Sequence, residues 1–170
     1  MELRKLNNKN KDDFHKTYIS ALTEGFVDFV PYKWISKFDS EFDKYIEELM
    51  ADETNEKLIC YLDNKSIGVV IYGKSTIENA KSDDALLDSI YFKKDFYGQG
   101  FAQKALEYAE NDLIDKGYKK VFFWCSKENK RAWHFYVNNG YVPTEKKRDD
   151  LLDGKTFHNI LFEKDLKVKK

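Results

Sequence analysis

Two glycines separated by one residue constrain this chain more than any other feature. They lie in the stretch FYGQGFAQKAL, Phe96 to Leu106, between a strand-like apolar run and a segment with helical periodicity. A strand that enters a helix through such a turn directs unpaired backbone N–H groups and the positive end of the helix dipole toward one point. Gly98 and Gly100 leave room for an anion to approach the backbone. The turn therefore predicts a phosphate site, although a tight turn without a ligand explains the same two residues equally well.

The residues that follow the first glycine separate three kinds of phosphate loop. A Walker loop requires Gly-Lys-Ser/Thr after four intervening residues, whereas Gln103, Lys104 and Ala105 stand there. A dinucleotide-binding fingerprint requires a small residue in place of Gln103. The remaining pattern is the coenzyme A loop, Gln/Arg-x-x-Gly-x-Gly/Ala. The run from Tyr97 to Ala102 follows this pattern except at Tyr97.

Before the glycine turn, the chain alternates between strand and helix patterns. MELRKL predicts a first strand, and apolar residues at three-to-four spacing predict a helix from Asp13 to about Val27. A second helix is predicted to begin after Pro31 and to extend through Leu49. The runs KLICYL and SIGVVIYG, joined by DNK, predict a hairpin, and ALLDSIYF predicts the strand that leads into the turn.

After the turn, the same patterns continue to the C-terminus. Gln99 to Lys116 predicts a helix, YKKVFFWCS an interior strand and ENKRAWHFYVNNG a further helix. The runs YVPTEKK and KTFHNILFEKDL predict two final strands, which DDLLDG connects. This order of elements predicts one α+β domain over residues 1–170, in which a mixed sheet carries helices on its faces.

The charge and the hydropathy pattern exclude two classes of partner. With 29 Lys and Arg residues against 30 Asp and Glu residues, the net charge of −1 provides no field that would attract nucleic acid. The basic clusters at Lys119–Lys120, Lys146–Arg148 and Lys167–Lys170 are typical of solvated surface. No apolar run is long enough to span a membrane or to serve as a signal peptide. We therefore expect a cytoplasmic protein without a membrane partner.

The cysteines and histidines predict no metal site. Cys60 and Cys125 fit no metal-ligand spacing, and both lie in strand-like runs where buried, reduced thiols are the usual state. The three histidines, His15, His134 and His158, are scattered along the chain. We expect no metal cofactor.

The chain resembles the GNAT superfamily of N-acetyltransferases, which use acetyl-CoA. The stretch SIYFKKDFYGQGFAQKAL is similar to the fourth strand, turn and third helix of that family, and NKRAWHFYVNNGYV is similar to its Asn-x-x-Ala-x-x-Phe-Tyr-x-x-x-Gly-Phe signature. The residues at the expected spacing are Asn129, Ala132, Phe135, Tyr136 and Gly140, with Tyr141 in place of Phe. Both motifs occur in the correct order between Ala85 and Val142, which is more specific than either motif alone. The resemblance implies a GNAT-like fold, a mixed and mostly antiparallel central sheet with helices on both faces.

The resemblance also implies a binding site for acetyl-CoA as cosubstrate. The N–H groups of the glycine turn would hold the diphosphate, and the backbone of the preceding strand would pair with the pantetheine arm and supply an oxyanion donor. Tyr97 stands where the family has Gln or Arg, so one side-chain contact near the diphosphate is missing. The implied cofactor-binding residues are Ile90, Tyr91, Phe92, Gly98, Gln99, Gly100, Phe101, Ala102, Gln103, Asn129 and Tyr136.

Acetyl transfer to an amine needs a proton donor for the departing thiolate and an acceptor for the proton of the amine. Tyr136 is the predicted donor, because a phenol with a pKa of about 10 stays protonated at neutral pH. Glu24 and Asp88 are the candidate general bases. Each carboxylate, taken alone, is more readily explained as a surface group. Secondary candidates for an acidic acceptor site are Asp28, Asp83 and Asp84.

Three functions remain open at this point. The leading one is an N-acetyltransferase that moves an acetyl group from acetyl-CoA to an amine of a small molecule, a peptide or a protein by direct attack in a ternary complex. The alternative is a catalytically silent coenzyme A-binding module or sensor, and the third is an interaction domain without a ligand. Asn129 and Tyr136 favour the enzyme, because a sensor needs no proton donor at the sulfur. The acceptor amine and the oligomeric state stay open, with a homodimer among the options.

Overall fold

The computed structural model describes residues Met1–Lys167, so the C-terminal basic cluster lies partly outside the described residues. Within residues 1–167, no helix is long and apolar enough to cross a membrane. A single 3-10 turn, Lys94–Phe96, precedes the glycine turn. The strands and helices, in chain order, are β1 Glu2–Lys5, α1 Lys11–Phe26, α2 Tyr32–Ser40, α3 Phe42–Ala51, β2 Asn55–Leu62, β3 Lys65–Lys74, β4 Asp84–Phe92, α4 Phe101–Asp115, β5 Lys120–Ser126, α5 Lys130–Asn138, β6 Val142–Leu152 and β7 Lys155–Asp165.

The strands form one sheet in the order β1-β2-β3-β4-β5-β7-β6. Neighbouring strands are antiparallel except β4 and β5, which are parallel and are connected through α4. The strand β5, predicted to be interior, lies between β4 and β7. The sheet is therefore mixed and mostly antiparallel, which confirms the predicted α+β class.

Hydrophobic side chains are buried on both faces of the sheet. On one face, Leu113 of α4 and Tyr136 of α5 pack with strand residues such as Val70. On the other face, Phe14 of α1 and Phe42 of α3 pack on the strands β2 and β3. The predicted placement of helices on both faces is confirmed, and the two layers fix the central strands from both sides.

The predicted second helix is wrong in its length, because the chain forms two helices, α2 and α3, in its place. Glu41 separates them with a φ of −103° and a ψ of 4°, outside the helical region. The hydroxyl of Ser40 donates to the carbonyl of Lys37 at 2.6 Å and so competes with the helical hydrogen bonds. Phe38 and Phe42 pack edge to face across the break, with ring centroids 5.4 Å apart. Apolar periodicity therefore continues across the boundary and conceals it.

The predicted DDLLDG connection is also wrong, because most of it belongs to β6. The strand continues to Leu152, and only Asp153 and Gly154 form the turn, with φ of 48° and 81°. A two-residue hairpin turn of this kind needs positive φ at both central positions, which Asp-Gly adopts readily. The longer strand includes Arg148, whose place in the cleft is described below.

Candidate active site

The parallel strands β4 and β5 separate and open a cleft at the centre of the sheet. They pair only from Asp84 to Leu86 and from Lys120 to Phe122. Beyond these residues β4 pairs with β3 alone and β5 with β7 alone, so each strand has one edge facing the gap. A cleft of about 1090 Å³ lies here, and its walls include residues 86–92 and 123–126. An extended ligand can pair with the β4 backbone at this edge as an added strand.

The glycine turn lines this cleft and has the geometry of an anion site. Gly98 and Gly100 have φ of 71° and 80°, and Gly100 is the N-cap of α4. A β-carbon on either glycine would meet no atom within 4 Å, so the space beside the backbone is free. The N–H groups of Phe101, Ala102 and Gln103, in the first turn of α4, have no acceptor within the helix. The residues present therefore fit the diphosphate of coenzyme A.

Tyr97 turns its ring toward two other elements. The guanidinium carbon of Arg131, on α5, lies 3.7 Å from the centroid of that ring. The Tyr97 hydroxyl lies against α1, since a β-carbon on Gly25 would be 2.7 Å from it. Arg131 also lines the cleft, and it forms no ion pair with any residue between 1 and 167. The helix α5 thus carries a cationic side chain beside Tyr97, the position where the coenzyme A loop pattern has Gln or Arg. Sequence reasoning missed Arg131, although its place between Asn129 and Ala132 of the signature was the available signal.

Asn129 and Tyr136 mark the start and the last turns of α5, and both line the cleft. The side-chain oxygen of Asn129 accepts a hydrogen bond from the N–H of Ala132 at 3.1 Å, so its amide NH2 group remains for a ligand. Tyr136 is buried and stacks on Phe123, with ring centroids 3.8 Å apart. Its hydroxyl has no hydrogen-bond partner among residues 1–167. Burial raises the pKa of Tyr136, so the phenol stays protonated.

Asp88 projects into the cleft because β4 carries a bulge at this residue. Ser89 pairs with Ile71 and Leu87 pairs with Tyr72, so Asp88 is the extra residue between two ladder pairs. Its carboxylate is open to the cleft but is crowded by protein on its other sides, and this desolvation raises the pKa of Asp88. The Ser89 hydroxyl, which donates to the carboxylate at 2.7 Å, acts in the opposite direction.

Of the catalytic candidates, the structure brings Tyr136 and Asp88 into the cleft and leaves Glu24 outside its walls. The carboxylate of Glu24 accepts hydrogen bonds from the Ser20 hydroxyl at 2.7 Å and from the backbone N–H of Lys94 at 2.6 Å. The first contact lies within α1, and the second fastens α1 to the turn that precedes the glycines. Glu24 is held in a structural contact.

The other predicted residues divide in the same way. The cleft is also lined by three predicted residues of β4, Ile90, Tyr91 and Phe92. Gln99, in contrast, is not among the residues that line the cleft, and its side chain donates a hydrogen bond to the carbonyl of Asp95 at 2.7 Å. The secondary acidic candidates also lie elsewhere. Asp28 is exposed, Asp83 pairs with Lys119 at 2.9 Å, and Asp84 accepts from the N–H of Lys81 at 2.7 Å.

Several cleft residues were not predicted as site residues. Arg148 on β6 and Trp124 on β5 face each other there, with the guanidinium carbon 4.7 Å from the indole centroid. The strands β5 and β6 lie on the opposite side of the cleft from β4. No local sequence signal links the two residues. Within residues 1–167, no group of three or more His, Cys, Asp or Glu side chains is arranged to hold a metal ion.

The fold and the cleft define a mixed sheet that opens between two parallel strands beside a glycine turn with space for an anion. The sequence model of the acetyltransferase (GNAT) family matches residues 19–141, and the chain belongs to this family. It is 23% identical over 141 residues to an uncharacterized N-acetyltransferase of Archaeoglobus fulgidus. The aligned residues cover 81% of this chain and 90% of that protein. The family assignment confirms the resemblance found in the sequence.

Solved structures share the fold at low sequence identity. The PaiA N-acetyltransferase of Thermoplasma acidophilum, solved in complex with coenzyme A, has a TM-score of 0.77 at 18% identity, covering 96% of this chain and 98% of that one. The ribosomal-protein-alanine N-acetyltransferase of Brucella melitensis has a TM-score of 0.75 at 13% identity, covering 98% and 100%. These likenesses extend the GNAT fold over nearly the whole chain.

Proposed function

We propose that this protein is an N-acetyltransferase that transfers an acetyl group from acetyl-CoA to an amine by direct attack in a ternary complex. One observation carries the proposal: a proton donor, Tyr136, and a proton acceptor, Asp88, line the same cleft as the glycine turn. The structure described as the PaiA N-acetyltransferase was solved with coenzyme A, which supports the choice of ligand.

The residues that would hold the coenzyme belong to three segments. The N–H groups from Gly98 to Gln103 would bind the diphosphate, and Arg131 would add a positive charge. The free edge of β4 at Ile90–Phe92 would pair with the pantetheine arm, with one N–H group as oxyanion donor. The Asn129 amide would provide a further hydrogen bond. When bound, acetyl-CoA supplies the thioester that is cleaved.

Tyr136 would protonate the leaving sulfur. The phenol stays protonated because burial raises its pKa, and its hydroxyl is not engaged by another residue between 1 and 167. The same apolar surroundings disfavour a free thiolate: burial raises the pKa of the Cys125 thiol, on the wall of this cleft, to about 12. Burial would raise the proton affinity of a leaving thiolate as it raises that of the Tyr136 phenolate, so the raised pKa of Tyr136 does not by itself oppose the transfer.

Asp88 would accept the proton of the amine. A primary amine with a pKa near 10 is only about one part in a thousand neutral at pH 7, so a base is needed. Asp88 would first take one proton from the bound ammonium group and pass it to solvent. The neutral amine would then attack: the new N–C bond forms as the C–S bond breaks, the second proton of the nitrogen passes to Asp88 and the phenol proton passes to the sulfur. Solvent then reprotonates Tyr136 and takes the proton from Asp88. No covalent enzyme intermediate is required.

A silent coenzyme A-binding module is the competing proposal, and calorimetry followed by an activity assay separates the two. Titration with acetyl-CoA should show binding at micromolar concentration, and addition of a panel of amines should release the free thiol. Binding without thiol release for any amine would favour the silent module. Absence of binding would overturn both proposals.

A further inference from the structure

The acceptor side of the cleft has an apolar wall of aromatic rings. Tyr91 on β4 contacts Tyr18 and Phe26 of α1 edge to face, at centroid distances of 5.3 and 5.4 Å. Burial raises the pKa of Tyr18 and Tyr91, and that of Tyr45 to about 12, so the wall stays neutral. The rings that line the cleft on this side are Tyr18, Phe26, Phe38, Tyr45 and Tyr91. An acceptor seated here has an apolar body.

Arg148 lines the same cleft from β6 and is held in place on two sides. Its guanidinium stacks over Trp124 at 4.7 Å, and its Nε and Nη2 atoms donate to Asp150 at 3.2 and 2.9 Å. Asp150 in turn accepts from the side chain of Asn159 at 2.8 Å. The Nη1 group has no partner among residues 1–167, and the side chain is half exposed. A fixed guanidinium with one free edge in a cleft is suited to bind an anion.

Asp88 and Arg148 carry opposite charges in one cleft without pairing with each other. Asp88 is hydrogen-bonded to Ser89, and Arg148 is ion-paired with Asp150. Arg148 is nevertheless near enough for its charge to lower the pKa of Asp88 against the larger effect of desolvation. The two groups thus offer a negative and a positive contact in the same cleft, the two charges that a zwitterion needs.

We infer that the acceptor is an α-amino acid with a large apolar side chain. This inference rests on the proposed function. The amine would face Asp88, the carboxylate would bind the free edge of Arg148, and the side chain would lie against the aromatic wall. A polyamine fits less well, because its further ammonium groups would meet Lys146, Lys147 and Arg148, and Glu78 is the one carboxylate besides Asp88 among the residues that line the cleft. A peptide N-terminus has no carboxylate next to its amine and would leave Arg148 unmatched.

The test uses three acceptors that share one aromatic body: phenylalanine, phenylalaninamide and phenethylamine. Spermidine is the polycationic comparison. Coenzyme A release is measured with the full-length wild type and with Arg148→Met, and kcat/KM is compared between phenylalanine and phenylalaninamide. We expect this ratio to be about tenfold or more higher in the wild type than in Arg148→Met, because a charged contact to phenylalanine is absent with the amide. In Arg148→Met the ratio should fall to the value that the different basicity of the two amines sets.

The ratio of kcat/KM between the two acceptors distinguishes a loss of carboxylate recognition from a general loss of activity. Loss of Arg148 also changes the environment of Asp88, but that change affects both acceptors and cancels in the ratio. The difference in basicity between the two acceptors is the same for both proteins, so it cancels when the ratio of the wild type is divided by the ratio of Arg148→Met. Arg148→Lys should keep part of the preference. Arg4→Met is the matched control, since Arg4 lies on β1 and pairs with Glu2 at 2.6 Å, and it should leave the ratio unchanged.

The outcomes distinguish this inference from the function on which it rests. A ratio that collapses only in Arg148→Met supports it. Equal or better turnover of phenethylamine or spermidine than of phenylalanine by the wild type would overturn the acceptor class while leaving the acetyltransferase intact. A preference for phenylalanine that survives Arg148→Met would overturn the assigned role of Arg148. No thiol release with any acceptor would overturn the proposed function itself.

Discussion

At the scale of single residues, Asp88 has the surroundings that a general base needs. A bulge aims it into the cleft, Ser89 fixes one carboxylate oxygen, and desolvation raises its pKa. A carboxylate with a raised pKa holds a proton more strongly than an ordinary one. Asp88 can therefore accept a proton from an ammonium group that binds beside it.

Replacement of Asp88 with asparagine should lower turnover by about 10²-fold near pH 7, the usual contribution of a general base. The loss of turnover in Asp88→Asn, relative to the wild type, should depend on pH. Without Asp88 only the neutral amine reacts, so the rate should rise with pH toward the pKa of the amine, near 10. The wild type should instead lose activity only at lower pH, as Asp88 protonates through its raised pKa. Initial rates from pH 5 to 10 measure both profiles.

Glu24→Gln is the control for this prediction. Glu24 was an equal candidate in the sequence, but its oxygens accept from Ser20 and Lys94 and it lies outside the cleft walls. Its variant should keep the pH profile of the wild type. A deficit in Asp88→Asn that is the same at every pH would contradict a role in proton transfer, because a purely geometric defect does not diminish as the amine deprotonates.

The site could be predicted from sequence where its signals are local. The glycine turn and the spacing from Asn129 to Tyr136 are each contained within one segment, so the pattern itself specifies which backbone and which helix face are used. The choice between Asp88 and Glu24 depends on a bulge defined by the partner strand β3. The contribution of Arg148 depends on β6 lying across the sheet opening from Asp88. Neither pairing leaves a signal in the neighbouring residues.

At the scale of elements, the turn between β4 and α4 combines two requirements. Both Gly98 and Gly100 have positive φ, and both leave open space where a β-carbon would stand. The first requirement concerns the folding of the turn, since a residue with a side chain is strained at these angles. The second concerns the ligand, because the open space is where the diphosphate would lie. The two effects can be measured separately.

Gly100→Ala should weaken acetyl-CoA binding by about tenfold or more and lower the free energy of unfolding by about 1 kcal/mol, because the β-carbon occupies the ligand space and the positive φ is strained. Gly117→Ala is the matched control. Gly117 has a φ of 88° and equally open surroundings, but it follows α4 and is not among the cleft residues. It should show a similar loss of stability with unchanged affinity. Equal affinity in both variants, by calorimetry, would contradict an anion site at this turn.

The elements were predictable from sequence where apolar periodicity and turn residues agree. The hairpin of β2 and β3 and the strand-turn-helix around the glycines have both signals. The break between α2 and α3 has only one, because Phe38 and Phe42 keep the helical spacing while Glu41 leaves the helix. The end of β6 was misplaced because its residues from Arg148 to Leu152 are mostly charged and exposed, and strand pairing alone keeps them extended.

At the scale of the whole molecule, the two helical layers cover the sheet except where the cleft opens between β4 and β5. Cys60 lies in the covered part of the sheet, and Cys125 lies on the wall of the cleft. Both are buried, and burial raises the pKa of each thiol to about 12. A thiol reacts through its thiolate, which is scarce at such a pKa.

Both cysteines should therefore react slowly with a thiol reagent in the native protein and rapidly after unfolding. The reagent DTNB, followed by absorbance with and without denaturant, should count close to zero thiols and then two. Rapid labelling of the native protein would contradict the layered packing. Slow labelling also means that, in an activity assay with the same reagent, the signal arises from released coenzyme A.

The central claim, acetyl transfer with Tyr136 as the proton donor, is tested most directly by the turnover of Tyr136→Phe at saturating acetyl-CoA and amine. The substitution removes one hydroxyl and keeps the ring that stacks on Phe123. We predict that kcat falls by about 10²-fold or more while the dissociation constant of acetyl-CoA, measured by calorimetry, stays within about twofold of the wild type. A variant that releases coenzyme A as fast as the wild type would contradict the claim, because the sulfur would then receive its proton from another source.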